Sequence, residues 1–326
     1  MPGELKNIGV VGLGLMGSSI IVSFLKAGCR VIALTPLSEE LEIGKKRVLE
    51  QLNLCKEMGL LSENEEYYTN NLIICDDYNF LKDCDLVNEC VIEIEEIKKD
   101  VYHKIENVVH PKCIISTNTS AIPINILQQY FIKPDRFMGI HWAEPAYSTR
   151  FLEITCGIKT NVELAELVQK EAINWEKEPT LLYKDIRGFI TNRLMYAVYR
   201  QGFELINKGI VDLAGLDKCF QYDIGQWITI MGLFKRMDYE GLDKFVSSYS
   251  IIFPLLSISN EVPPQMKKIL EINGRGIHNL KGLYNHSSES AEILEDNLST
   301  FNEEIYKLAD LYRIKLKQLK LSEIKK

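Results

Sequence analysis

Three glycines near the start of the chain constrain its fold more than any other feature. Gly12, Gly14 and Gly17 form a G-x-G-x-x-G run directly behind the apolar residues Ile8, Val10 and Val11. A buried strand that ends in such a run uses Gly12 for a tight turn. Gly14 lets backbone approach a pyrophosphate, and Gly17 lets the next helix pack closely on the strand. Residues 18–27 read as that helix with Gly28 as its stop, and residues 31–34 read as the second strand. The expected unit is βαβ with a dinucleotide site at the helix N-terminus, bound by Gly12, Leu13, Gly14, Leu15, Met16 and Gly17.

The second strand ends at Thr35, followed by Pro36, where an NAD site ordinarily carries Asp or Glu for the ribose hydroxyls. Threonine offers a neutral hydrogen bond in place of a charge-assisted one. The nearest basic cluster, Lys45-Lys46-Arg47, does not stand directly after it. The phosphate half of the site therefore reads as intact and the adenosine half as altered. NAD is expected in preference to NADP, with Thr35 among the cofactor residues.

Strand-like runs recur at 72–75, 85–91, 113–116, 137–142, 151–156 and 180–183. Amphipathic helical patterns over 39–58, 95–109 and 162–175 alternate with them. This order predicts a mostly parallel, doubly wound α/β sheet of the Rossmann type. After Lys184 the pattern turns wholly helical, beginning with a long helix over 189–208. The expected division is an NAD-binding domain at 1–185 and an all-α substrate and dimerisation domain at 186–326. Residues 303–326 grow basic, as a solvated helix face with a frayed tail would.

The chain of 326 residues carries a net charge of −7, which argues against nucleic acid or an anionic membrane as the main partner. Its eight cysteines lack C-x-x-C or other ligand spacing, so no metal is expected and buried, reduced thiols are. That usage implies a reducing, cytoplasmic compartment. Residues 1–6 do not read as a signal peptide, and the apolar stretch 245–258, interrupted by Pro254, is too short to span a bilayer.

In an open α/β sheet the site lies beyond the carboxyl ends of the strands. Ser120 follows the fifth strand, His141 lies in the sixth, Glu153 in the one after it, and Asn192 near the start of the long helix. The short connection containing Pro145 allows an antiparallel pair that would set Glu153 beside His141. A carboxylate on one ring nitrogen fixes the tautomer and stabilises imidazolium. The other nitrogen can then accept a hydroxyl proton. His103, His110, His278 and His286 lie on helical faces or in polar loops and suggest no chemistry.

Several segments together resemble the 3-hydroxyacyl-CoA dehydrogenase family, from Gly12 to about Tyr284. They are Ser-Thr-Asn-Thr-Ser at 116–120, His-Trp-Ala-Glu-Pro at 141–145 and Gly-Phe-Ile-Thr-Asn-Arg at 188–193. Further along stand Met-Gly-Leu-Phe at 231–234, Asp-Tyr-Glu-Gly-Leu-Asp at 238–243 and Lys-Gly-Leu-Tyr at 281–284. The resemblance implies an NAD-dependent oxidoreductase of fatty-acid metabolism, interconverting a 3-hydroxy and a 3-oxo substrate. It implies His141 as base, Glu153 as its partner, and Ser120 and Asn192 on the substrate oxygen or the nicotinamide end. It places Glu93 and Lys98 on the cofactor side, and implies a homodimer formed through the helical domain. Glu144 stands on the cofactor side where the family has Asn, Arg187 replaces a Pro, and Leu233 replaces another. The Gly-Leu-Leu at 59–61 and the run at 224–232 resemble the branch acting on free hydroxy acids, of the lambda-crystallin and L-gulonate dehydrogenase types. The alternative expectation is a catalytically weakened homologue kept as a nucleotide-binding or structural protein, to which Thr35 and Glu144 point.

Overall fold

The computed structural model describes residues 5–323; residues 1–4 and the last part of the basic tail, 324–326, lie outside the described residues. Eight strands form one sheet: β1 (Asn7–Val11), β2 (Arg30–Leu34), β3 (Leu72–Cys75), β4 (Leu86–Glu89), β5 (Ile114–Thr117), β6 (Phe137–Trp142), β7 (Phe151–Cys156) and β8 (Glu178–Leu182). Their spatial order is β3-β2-β1-β4-β5-β6-β7-β8. All neighbours are parallel except β6 and β7, whose antiparallel register sets His141 opposite Glu153. The order reverses between β1 and β4, where Val11 pairs with Glu89. A crevice for a ligand opens at such a reversal, beyond the strand ends.

The helices of this unit are α1 (Leu15–Lys26), α2 (Leu41–Glu57), α3 (Glu65–Asn70), α4 (Glu95–Val108), α5 (Ile124–Leu127) and α6 (Val162–Ala172). Ile20, Phe24, Val48, Leu52, Ala165 and Val168 from α1, α2 and α6 fill the core on one face of the sheet. Val101, Ile105, Ile124 and Leu127 from α4 and α5 fill the other. Phe24 meets the rings of Trp142 and Trp175 edge-on at 5.2 and 4.9 Å. Each such pair is worth about 1 kcal/mol beyond its buried area. The cluster fixes α1, whose N-terminus follows the glycine run, against the strand that carries His141.

Several boundaries differ from the sequence expectation for identifiable reasons. α1 begins at Leu15 rather than residue 18, directly behind the turn at Gly14. α2 begins at Leu41, because residues 38–40 form a separate 3-10 turn. β4 stops at Glu89 rather than 91, since the Glu89 carboxylate turns back to accept the Val91 N–H at 2.6 Å. α6 ends at Ala172, where the chain turns down toward Glu176 in a left-handed conformation. The long helix α7 (Thr191–Asn207) starts later than residue 189, because Phe189 is buried with a positive φ of 47°. The polar six-residue α3 had no apolar period to announce it.

The chain divides into two compact units between Thr191 and Asn192, a few residues after 185/186. Phe189 packs in the core of the first unit, which keeps the intervening residues with it. Taken by itself, the second unit continues α7 and adds α8 (Leu213–Cys219), α9 (Gly225–Met231), α10 (Leu233–Glu240), α11 (Leu242–Ile252), α12 (Pro264–Glu271) and α13 (Ser288–Glu323). Arg236 lies over the rings of Trp227 and Tyr239, and Tyr249 stacks on Phe253. Among the described residues this unit holds only isolated β-bridges, around Lys281.

Candidate active site

The three glycines of the opening run do three different things. Gly12 has φ of +106°, and a Cβ there would stand 2.7 Å from the Cys90 carbonyl oxygen. A Cβ on Gly17 would stand 1.8 Å from the Gly12 carbonyl oxygen, so α1 can seat on the loop only with glycine. A Cβ on Gly14 would meet nothing within 4 Å. Gly14 is the N-cap of α1 and supplies no side-chain cap, while Leu15 is half exposed. The loop therefore leaves an open, donor-lined space at a helix N-terminus. That fits a dinucleotide pyrophosphate.

The adenosine side is built from β2 and α2. Thr35 is buried, donates to the Leu37 carbonyl at 3.1 Å and accepts from the Leu37 N–H at 3.3 Å. Arg47, of the nearest basic cluster at Lys45-Lys46-Arg47, reaches the loop although it does not stand directly after β2: its Nη1 donates to the Leu13 carbonyl oxygen at 2.6 Å. The signal was present in the helical period, because Gly44 and Arg47 share one face and Gly44 leaves room for Leu13.

At the end of β4 a buried polar network forms. Glu89 accepts from Lys98 Nζ and the Val91 N–H on Oε1, and from the Tyr102 and Thr117 hydroxyls on Oε2. Lys98 is enclosed and also lies 3.2 Å from Glu93 Oε2. Burial works against its charge, but Glu89 and Glu93 outweigh it and raise its pKa. Glu93 Oε1 accepts from the Thr119 hydroxyl and from the Ser120 and Ala121 N–H groups, each backbone bond being 3.2 Å. Burial again opposes the charge, yet Thr119, Lys98 and the Ala121 N–H hold the Glu93 carboxyl below the ordinary carboxylate range. Glu93 thus fixes the backbone that carries Ser120.

Ser120 Oγ lies 3.1 Å from His141 Nε2, and His141 Nδ1 lies 3.0 Å from Glu153 Oε2. The other oxygen of Glu153 accepts the Ile190 and Thr191 N–H groups, both at 3.0 Å. Burial pushes the Glu153 carboxyl up, but His141 and these N–H groups prevail and leave it lowered. The imidazole is walled by Phe151 and Phe189, with ring centroids 5.7 and 5.4 Å away. Asn118, inside the Ser-Thr-Asn-Thr-Ser segment, accepts the Trp142 N–H at 2.9 Å and ties the Ser120 loop to the strand of His141. Glu144 is exposed in the loop after β6. Asn192 follows Thr191 directly and is the first residue of the second unit.

Two family profiles match in sequence order: the 3-hydroxyacyl-CoA dehydrogenase NAD-binding domain over residues 7–186, and the 3-hydroxyacyl-CoA dehydrogenase C-terminal domain over residues 188–286. The chain belongs to the 3-hydroxyacyl-CoA dehydrogenase family. It is 27% identical over 292 residues to the 5-formyl-3-hydroxy-2-methylpyridine 4-carboxylate 5-dehydrogenase of Mesorhizobium japonicum, covering 89% of this chain and 94% of that protein. It is 30% identical over 239 residues to the L-carnitine dehydrogenase of Oceanobacillus iheyensis, covering 73% and 76% respectively. A solved 5-formyl-3-hydroxy-2-methylpyridine 4-carboxylic acid 5-dehydrogenase, described as an NAD+-dependent dismutase, superposes with a TM-score of 0.86 at 26% identity, over 94% of this chain and 99% of that one. The family makes this 3-hydroxyacyl-CoA dehydrogenase relative an NAD-dependent oxidoreductase acting on a hydroxy group, and disfavours the alternative of a catalytically weakened homologue. Among the described residues no helix is long and apolar enough to cross a membrane.

Proposed function

We propose that the enzyme takes the hydroxyl proton of a small 3-hydroxy carboxylic substrate and a hydride from the carbon that bears it, giving the 3-oxo product, with His141 as base. The line from Ser120 through His141 to Glu153 carries this reading. A ring that donates Nδ1–H to Glu153 presents a lone pair at Nε2. That lone pair accepts the hydroxyl proton, and the Glu153 carboxylate stabilises the imidazolium that results. When bound, NAD+ supplies the hydride acceptor. Ser120 donates a hydrogen bond to the substrate oxygen, and the Phe151 and Phe189 rings limit water around the imidazole. Gly12 through Gly17 hold the pyrophosphate. Thr35 lies at the adenosine end and Glu144 on the nicotinamide side, while Lys98 acts through Glu93.

A free hydroxy acid is favoured over a CoA thioester by the segments at 59–61 and 224–232, and by the carboxylate named for the Mesorhizobium relative. The thioester is the second reading, favoured by the family's name and by the 3-hydroxybutyryl-CoA dehydrogenases among the relatives. A scan of hydroxy acids and 3-hydroxyacyl-CoA thioesters for NADH production decides between them. His141→Gln serves as the control; near-normal turnover in that variant would remove the base assignment.

The helical unit carries the homodimer interface on this reading. Ile251, Phe253 and Leu255 are 66, 58 and 71% exposed in the single chain, which supports a covered surface there. A monomer mass at micromolar concentration would refute it. The cytoplasm is the proposed compartment, supported by six buried cysteines without disulfides.

A further inference from the structure

We propose that Arg47 governs the adenosine end of the cofactor site and lets it accept the 2′-phosphate of NADP(H) as well as the 2′-hydroxyl of NAD(H). The inference rests on the family's dinucleotide site and is independent of the assignment of His141.

The first observation is what the end of β2 lacks. A carboxylate there would bind the ribose hydroxyls and repel a 2′-phosphate. Thr35 stands in its place, 1% exposed, with its hydroxyl already engaged as donor and acceptor in the turn to Leu37. Neither selectivity for NAD nor repulsion of NADP comes from this position.

The second observation is what α2 brings. A Cβ on Gly44 would lie 2.7 Å from the Leu13 side chain, so only glycine lets α2 approach the phosphate loop this closely. Three residues on, on the same helix face, Arg47 Nη1 bonds the Leu13 carbonyl at 2.6 Å. Leu13 adjoins Gly12, whose N–H donates at 2.8 Å to the Leu34 carbonyl, and Leu34 precedes Thr35. The guanidinium is thereby fixed beside the corner where β1 and β2 end.

The third is the guanidinium's remaining capacity. Arginine has five N–H donors in a planar fork suited to phosphate. Leu13 takes one of them, and among the described residues no carboxylate pairs with Arg47. Its neighbour Lys46 is held by Glu50 at 3.6 Å on the exposed side of α2. The competing groups are Glu39 and Glu40, exposed in the turn at 38–40, either of which would favour a ribose hydroxyl.

Titration of the intact protein with NADH and NADPH, by nucleotide fluorescence and calorimetry, tests this without a substrate. The wild type should bind NADPH within about tenfold of NADH. Arg47→Gln should weaken NADPH by roughly tenfold or more, while NADH changes by less than about threefold. Arg47→Lys should fall between, keeping the charge and losing the fork. Added salt should weaken NADPH more steeply than NADH in the wild type, and equally in Arg47→Gln. Circular dichroism and melting of each variant confirm that it is folded. Equal weakening of both nucleotides in Arg47→Gln would overturn the proposal, leaving Arg47 as a brace for Leu13. NADPH binding more than about a hundredfold weaker than NADH in the wild type would also overturn it. A larger loss of NADH in Glu39→Gln or Glu40→Gln than any effect at Arg47 would do the same, moving the adenosine contact to the turn.

Discussion

Glu153 holds His141 from the neighbouring antiparallel strand, one oxygen 3.0 Å from Nδ1 and the other on the Ile190 and Thr191 N–H groups. Because both oxygens accept, the carboxylate has one orientation and the ring one tautomer. The Glu153 pKa is depressed, so the arrangement is complete above the ordinary carboxylate range. It is lost only as pH falls through the lowered value. Glu153→Gln keeps the shape but can satisfy the two N–H groups only by turning its amide N–H toward Nδ1. The ring then carries its proton on Nε2 and loses the basic face proposed for the substrate. We expect kcat to fall by about 10³-fold, with NADH affinity within about threefold of wild type. A kcat near that of wild type would show that the ring's tautomer does not matter to turnover.

The glycine run yields a second, sharper separation. Gly14→Ala places its Cβ in open space, at an N-cap where alanine costs about 1 kcal/mol relative to good caps and less relative to glycine. Its melting should stay near wild type while NADH binding weakens by about tenfold or more, because the added carbon occupies the pyrophosphate's room. Gly17→Ala drives its Cβ to 1.8 Å from the Gly12 carbonyl oxygen. We expect a loss of about 3 kcal/mol or more in stability, read by urea denaturation. Unchanged NADH affinity in a folded Gly14→Ala would move the pyrophosphate elsewhere.

These two sites show what a sequence exposes. Apolar runs long enough for a strand, such as Leu72–Cys75 and Phe137–Trp142, announced themselves, and so did the glycine spacing. The His141–Glu153 pairing followed from one short connection and the alternation of a β pair. What stayed hidden depends on side chains folding back on backbone. The stop of β4 at Glu89, the late start of α7 after Phe189 and the reach of Arg47 to Leu13 are all of this kind. Glu93 and Lys98 came only from a motif, and the motif did not reveal that Glu93 grips the Ser120 loop.

That grip gives a third prediction. Glu93→Gln removes the charge facing Lys98 and weakens acceptance from the Ser120 and Ala121 N–H groups. If Glu93 acts by placing Ser120, kcat should fall by about tenfold while NADH affinity changes less. Ser120→Ala should fall similarly, and the double variant should be little worse than either alone, since both remove one interaction. Additive losses, or a loss of NADH affinity with kcat intact, would instead assign Glu93 to direct cofactor contact.

The last prediction concerns the loop after His141. Lys177 is buried, and its Nζ donates to the Ala146 and Thr149 carbonyls at 2.6 and 2.8 Å, with the Trp142 ring 5.5 Å away. A neutral amine has the two N–H groups these carbonyls need, and the third proton of an ammonium has only the aromatic face. Burial first, and then repulsion from Lys26, pushes the Lys177 pKa down to about 7. Below that value the lysine is charged in both folded and unfolded chains, and the folded state bears the full cost of a buried ammonium. Above it the folded form is neutral while the unfolded lysine still holds its proton, so the unfolded state binds more protons and stability rises with pH. Comparison with Lys177→Met removes the contribution of the cysteine thiols, which titrate in the unfolded chain from about pH 8.5. We expect wild type to gain about 1–2 kcal/mol relative to Lys177→Met between about pH 6.5 and 8.5, measured by urea denaturation at each pH. A flat or falling difference would mean that Lys177 keeps its proton in the folded protein, with the Trp142 face sufficient to hold the charge.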